Sequence, residues 1–178
     1  MEHNSFPEIK TERLFLRRLK HSDWKMISYL RSDKKINEFV KRPPAELKEK
    51  ALEFISKINR GIENRDIYYW TITERNNDKM IGSICLWNFS KDRKIAEVGY
   101  DLSLSFQRMG IMNESLKSVL EFGFKNLYLE FIEAYTHRLN ESSKKLLERN
   151  GFDLVKGKKD ADNQDNIIYK LTKQAYHA

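Results

Sequence analysis

Apolar positions recur along this chain at two spacings, every second residue in some segments and every third or fourth in others, and the switches between them mark the elements. Arg13 to Leu19 alternates Leu14, Leu16 and Arg18 against Phe15, Arg17 and Leu19 and predicts a first strand. Ser22-Asp23 then offers an N-cap, and Trp24, Ile27, Tyr29 and Leu30 follow at helical spacing. Pro43-Pro44 predicts the start of a second helix, with Leu47, Ala51, Phe54, Ile55 and Ile58 as its apolar stripe. Ile67 to Thr73 is aromatic and β-branched, Asn76-Asn77-Asp78 reads as a turn, and Lys79 to Trp87 as the returning arm of a hairpin. Ser90-Lys91-Asp92 predicts another turn and Ile95 to Leu102 another strand. Met112, Leu116, Val119, Leu120, Gly123 and Leu127 define one face of a further helix. Strands are expected at Glu130 to Thr136, Phe152 to Val155 and Ile167 to Leu171, with a helix over Asn140 to Arg149. The order β-α-α-β-β-β-α-β-α-β-β predicts an α/β protein built on a mixed sheet.

Length and composition narrow the class. At 178 residues, residues 1–178 are expected to form a single domain, and 40% hydrophobic with 33% charged residues describes a soluble folded chain. Aromatic residues at 12% speak against disorder. The net charge of +7 suits an anionic ligand or partner, and ribosome surface, nucleic acid and an acidic cofactor all satisfy it. The one cysteine, Cys85, has no partner for an internal disulfide, which fits a reducing cytoplasm. No apolar run reaches the length of a membrane span, and Met1-Glu2-His3 lacks the pattern of a secretion signal.

The densest chemical signal is Ser105 to Asn113. It follows a predicted strand and opens a predicted helix, so the amides of Gln107, Arg108, Met109, Gly110, Ile111 and Met112 converge where the helix dipole also favours negative charge. Gly110 allows close approach of the backbone, and a diphosphate is the natural occupant. Gly110 equally serves a plain strand-to-helix turn.

Four segments in order resemble the GNAT superfamily of acetyl-CoA-dependent N-acetyltransferases, most nearly its RimJ/RimL branch, which acetylates protein N-termini, those of ribosomal proteins among them. They are Thr11-Glu12-Arg13-Leu14, Ile81-Gly82-Ser83-Ile84, Ala96-Glu97-Val98-Gly99-Tyr100 running into Gln107-x-x-Gly110, and Asn140-x-x-Ser143 ahead of Gly151-Phe152. The resemblance implies a mostly antiparallel mixed sheet with a splayed central pair of strands, helices on both faces, and acetyl-CoA as cosubstrate without a metal. It implies the diphosphate at Gln107 to Met112 and pantetheine along the backbone of Leu102 and Leu104. Met112 stands where the general motif has glycine or alanine.

Acetyl transfer to an amine needs a neutral nucleophile, a polarised carbonyl and a stabilised thiolate. An α-amine, with a pKa near 8, is roughly a tenth neutral at pH 7, whereas a lysine near 10.4 is well under a thousandth neutral. Glu133 matches the base position of RimI-type relatives, and Glu97 lies on the neighbouring strand. Either glutamate also reads as an ion-pair partner in a lysine-rich chain. Many family members place a tyrosine at the position of Leu147 to protonate the thiolate; the RimL-like alternative is a helical serine, here Ser143, on one helix face with Asn140. Asn140 doubles as a helix N-cap and Ser143 as a small packed residue. His3, His21, His137 and His177 form no cluster with metal-ligand spacing. Tyr68-Tyr69-Trp70 and Trp87 read as core, or as the wall of an acceptor groove.

The activity implied is transfer of an acetyl group to a primary amine by direct attack in a ternary complex. The acceptor is a protein N-terminus, a ribosomal one included, or a small amine such as a polyamine, an amino acid or an aminoglycoside. A non-catalytic CoA-binding module docking on ribosome or RNA is the remaining alternative. Nothing in the pattern speaks to oligomeric state.

Overall fold

The computed structural model describes residues 6–177, so His3 lies outside the described residues. Eight strands form one sheet: β1 (Ile9–Lys10), β2 (Leu14–Arg18), β3 (Tyr68–Glu74), β4 (Asn77–Trp87), β5 (Ile95–Leu102), β6 (Phe131–His137), β7 (Asp153–Leu154) and β8 (Asn166–Thr172). Their spatial order is β1-β2-β3-β4-β5-β6-β8-β7. Every neighbouring pair is antiparallel except β5 and β6, which run parallel.

The period of two in each strand divides the side chains between two cores. Leu14 and Leu16 on β2, Trp70 and Ile72 on β3, and Ile84 and Leu86 on β4 face α3 (Ile111–Lys125) and α4 (Glu141–Arg149). Tyr69, Met80 and Leu19 face α1 (Trp24–Ser32) and α2 (Lys48–Glu63), whose Ile27, Leu30, Ala51 and Ile55 are buried against them. β3 is buried on both faces, which is why its aromatic and β-branched run is nearly unbroken. A last short helix, α5 (Lys173–His177), follows β8.

Three local expectations are corrected. The prolines do not start α2: it begins at Lys48, and Pro43 to Ala45 lies outside any helix, tied to the end of α1 by Arg31 Nη2 to Pro43 O at 3.1 Å and Ala45 N to Ser32 Oγ at 3.0 Å. Leu47 therefore sits before the helix and is exposed rather than in its stripe. Asp23 does not cap α1 through its side chain; its carboxylate meets the buried Arg17 at 2.9 Å and the amide of Lys20 at 2.9 Å. The first hairpin turns at Arg75-Asn76, one position early, so that Asn77 already opens β4 opposite Glu74. Two short elements, β1 and α5, are additions, since two apolar positions or one turn leave no period to read.

The arrangement that positions the site is the β5/β6 pair. It is in register only at Ile95–Phe131, Ala96–Ile132 and Glu97–Glu133. Past Glu97 the two strands diverge, and a wedge opens through the middle of the sheet.

Candidate functional site

At the head of α3 the chain makes two left-handed turns of backbone, Arg108 at φ +62° and Gly110 at φ +76°. Alternation of this kind points successive amides inward as an anion-binding nest. Gly110 is the N-terminal boundary residue of α3, and no side chain caps the first-turn amides, which leaves them open to an anion. Gln107, Arg108, Met109 and Gly110 are exposed, Ile111 is buried, and Met112 packs partly against the core, so the bulky residue at 112 turns away from the nest.

This loop is held from behind by the start of β2, a link that sequence reasoning missed. Glu114, in the first turn of α3, accepts from Thr11 Oγ1 at 2.6 Å, from the Arg13 amide at 2.9 Å and from Arg13 Nε at 2.7 Å, while Arg13 Nη1 donates to Met109 O at 2.9 Å. Partial burial works to raise the Glu114 carboxyl, but the Thr11 and Arg13 donors outweigh it and hold the group below its usual range. A Cβ at Gly110 would come within 3.3 Å of Arg13 Nη2.

The Ser103 amide donates to Ile81 O at 2.9 Å, which sets the β4/β5 hydrogen-bond parity. With Gly82 opposite Leu102, the main-chain groups of Val98, Tyr100 and Leu102 then point away from β4 and into the wedge. The carbonyl of Leu102 accepts from Gln107 Nε2 at 3.2 Å. Leu104 lies beyond the strand in a 3₁₀ turn, its carbonyl taken by the Gln107 amide at 3.3 Å. Val98 and Tyr100, rather than Leu104, share the strand edge with Leu102. Such an edge suits a ligand with its own amides, as the nest suits a diphosphate.

On the α3/α4 side of the wedge, Asn140 Oδ1 accepts from the Ser143 amide at 3.1 Å and starts α4. Ser143 is buried, and its Oγ lies 2.8 Å from the Tyr100 hydroxyl. Burial pushes the Tyr100 phenol up to about 12, with the Ser143 hydrogen bond opposing. Leu147 is wholly buried in the core.

The opposite side carries the carboxylates. Glu133 is gripped by Lys158 Nζ at 2.6 and 2.8 Å to its two oxygens, with the Tyr135 hydroxyl at 3.3 Å. Glu97, directly beside it in register, has among the described residues only Asn88 Nδ2 at 3.3 Å as a side-chain partner. Burial raises the Glu97 carboxyl to about 7; Asn88 and Lys158 oppose this, while Asp160 and Glu133 add to it. The geometry therefore favours Glu97 over Glu133 as a free base. Trp87 stands opposite Glu97 on β4 and is 43% exposed, unlike the wholly buried Trp70. Its indole leans over Gly99, where an added Cβ would lie 3.7 Å from Nε1. Deeper on this face Asp101 is paired with Arg42 at 3.0 Å and Ser83 at 2.6 Å. Two loops flank it: Phe39 packs on His137 with ring centroids 5.2 Å apart, and Lys158 and Asp160 come from the β7–β8 connection. His137 Nδ1 accepts from the Leu139 amide at 3.1 Å, a turn contact.

The site thus gathers Glu97, Glu133, Leu102, Asn140 and Ser143 around one wedge, with Gln107 to Met112 at the loop that leads from β5 into α3. Arg13 and Tyr100, which the sequence marked only as members of motifs, and Lys158 are functional candidates to which the sequence assigned no role. Strand parity carries a signal for Tyr100, since it lies two residues from Leu102. Among the described residues no group of three histidine, cysteine, aspartate or glutamate side chains is placed to hold a metal, and no helix is long and apolar enough to cross a membrane.

Residues 13–153 match the family described as acetyltransferase (GNAT) domain. The chain is 28% identical over 147 residues to the uncharacterized N-acetyltransferase YoaA of Bacillus subtilis strain 168, covering 83% of each chain. It superimposes with a TM-score of 0.78 on a ribosomal-protein-S5-alanine acetyltransferase from Vibrio fischeri, at 22% identity over 96% of this chain and 98% of that one. RimL, a ribosomal L7/L12 alpha-N-protein acetyltransferase solved in complex with coenzyme A, gives a TM-score of 0.79 at 19% identity, over 95% and 99% of the two chains.

Proposed function

The chain belongs to the GNAT acetyltransferase family, an N-acetyltransferase using acetyl-CoA, and from that premise we propose that its acceptor is a peptide α-amine, in the manner of the RimJ/RimL branch. The observation that carries this reading is the place of Glu97 on β5 beside Glu133, touched by Asn88 and clear of the lysine that grips Glu133, where burial raises its carboxyl to about 7. Moving a proton to it from an α-ammonium of pKa near 8 costs roughly 1.4 kcal/mol, against roughly 4–5 kcal/mol from a lysine near 10.4. A base so tuned serves the first and falls short for the second. The ribosomal-protein acetyltransferases that share this fold support the same acceptor. A ribosomal N-terminus, met through the basic surface of a chain at +7, is the substrate this favours.

In this mechanism the nest at Arg108 to Gly110 and the first-turn amides of α3 bind the diphosphate, and the edge of Val98, Tyr100 and Leu102 pairs with pantetheine. Glu97 takes a proton from the ammonium and leaves the amine neutral. The amine nitrogen bonds to the thioester carbon, the C–S bond breaks, and its electron pair passes to sulfur near Ser143. The second proton released from nitrogen balances the one that the thiol gains. Holding amine and thioester in line supplies much of the acceleration, with effective molarities of about 10⁵ M or more available.

A small cationic acceptor would be drawn by unpaired carboxylates, and here Lys158 occupies Glu133 and Arg42 occupies Asp101. The Ser143 and Tyr100 hydroxyls supply donors near the sulfur that Leu147 does not, which supports turnover over a purely binding role.

The test is a thiol-release assay with acetyl-CoA across three acceptors: peptides with free N-termini, peptides N-blocked and carrying lysine, and small amines. Mass spectrometry then locates the acetyl group. The reading expects the α-amine peptides to show the highest kcat/KM and the mark at residue one; a polyamine or aminoglycoside ahead of every peptide overturns it.

A further inference from the structure

Ser143 and Tyr100 come from different elements, α4 and β5, yet their hydroxyl oxygens lie 2.8 Å apart. Two hydroxyls bring two protons, and the bond between them uses one. A helical serine ordinarily turns its proton back to the carbonyl four residues earlier. Among the described residues Ser143 makes no such bond, and its Oγ meets the Tyr100 hydroxyl instead. A phenol is a stronger acid than an aliphatic alcohol, so the favoured direction has Tyr100 donating and Ser143 accepting. The serine proton is then the one left to point elsewhere, and the main chain at Tyr100 already faces the wedge.

We infer that Tyr100 is a positioning residue for the leaving group: its phenol donates to Ser143 Oγ and turns the serine O–H toward the sulfur that departs from the acetyl group. As the C–S bond breaks, the Ser143 O–H hydrogen-bonds to the forming thiolate without losing its proton. The proton that converts thiolate to thiol is the one given up by the amine nitrogen on becoming an amide. Burial raises the phenol to about 12, so Tyr100 keeps its proton across the working range. The helix offers no replacement at Leu147, which is sealed in the core. The inference rests on the reading that Ser143 faces the thioester sulfur.

The experiment is a double-mutant cycle of Tyr100→Phe, Ser143→Ala and the double variant, read as single-turnover rate and as acetyl-CoA KM, with whichever amine the wild type acetylates. Melting temperature and calorimetry with CoA check folding and cofactor affinity. Ser143→Ala is expected to slow acetyl transfer by about 10- to 100-fold, the range of a hydrogen bond to a charged group. Tyr100→Phe is expected to slow it by about fivefold or more with acetyl-CoA KM unchanged, and the double variant to match Ser143→Ala alone. A Tyr100→Phe enzyme as fast as wild type, or losses that multiply in the double variant, overturns the inference while leaving the serine in its role. An undiminished rate in Ser143→Ala removes the serine role itself, and the positioning role with it.

Discussion

Arg13 and Glu114 stand 101 positions apart in sequence and share two hydrogen bonds, from the Arg13 amide and Nε to the two Glu114 oxygens. The pair ties the start of β2 to the first turn of α3, the helix whose N-terminus is the proposed diphosphate site. The acid does not lie in the nest. It pins the loop from the far side, where its charge also suits the positive end of the helix.

Glu114→Ala is therefore expected to weaken acetyl-CoA binding by about tenfold, the scale of a lost charge-assisted hydrogen bond, with little change in kcat. Steady-state kinetics and CoA calorimetry read this directly. Because the folded-state carboxyl is held below its usual range, the brace persists above that range and is lost only as pH falls through the lowered folded-state value; acidification should slow chemistry at Glu97, near pH 7, well before it loosens CoA.

Glu97→Gln separates acceptor classes. At pH 7 about a tenth of an α-amine is already neutral, so losing the base should cost roughly tenfold there and progressively less above pH 8. A lysine acceptor would lose far more. In the wild type, kcat/KM should rise through pH 7 as Glu97 ionises. The stability effect runs the other way. Glu97 binds its proton more tightly folded than unfolded, so stability falls as pH climbs from 4.5 through about 7. Glu97→Gln is expected to melt higher than wild type at pH 8, while showing no such advantage at pH 4.

Lys158→Met releases Glu133 and removes the cation that opposes burial at Glu97. The acid limb of the pH–rate profile should move upward, and activity at pH 7 should fall although Lys158 touches neither reacting atom. A profile unmoved by the substitution would show that the β7–β8 loop does not tune the base.

Trp87→Ala addresses the acceptor face. An exposed indole beside a carboxylate attracts an ammonium, worth about 0.5–2 kcal/mol. The acceptor KM should rise by roughly 3- to 30-fold, with acetyl-CoA KM unchanged.

What was legible in the sequence follows from where local chemistry suffices. Gln107 to Met112 announces itself because a strand, a glycine and an apolar helical stripe are consecutive. The strand alternation placed Leu14 and Leu16 on one face of β2 and Leu19 on the other, where two separate cores bury them. The Arg13–Glu114 brace, the Tyr100–Ser143 contact and the Lys158 grip on Glu133 join residues distant in sequence, and periodicity holds no term for such pairs. Pro43-Pro44 misled for the opposite reason: the rule that proline opens a helix is local, and here hydrogen bonds from the end of α1 hold the segment against that helix instead. The Glu133 and Glu97 candidates were indistinguishable by type, and only the neighbour supplied by the β7–β8 connection separates them.

Leu147 has a bearing on ancestry and on engineering. It is wholly sealed in the cluster that also holds Phe152, Tyr169 and Leu171. Replacing it with tyrosine would force a larger ring and a hydroxyl into filled space, an overpacking cost of about 1–3 kcal/mol, before any phenol reached the sulfur. A tyrosine at 147 and the proposed role of Ser143 are thus not one substitution apart. A lineage passing from one to the other has to remodel the floor beneath α4 first, which would keep the two designs distinct over long divergence.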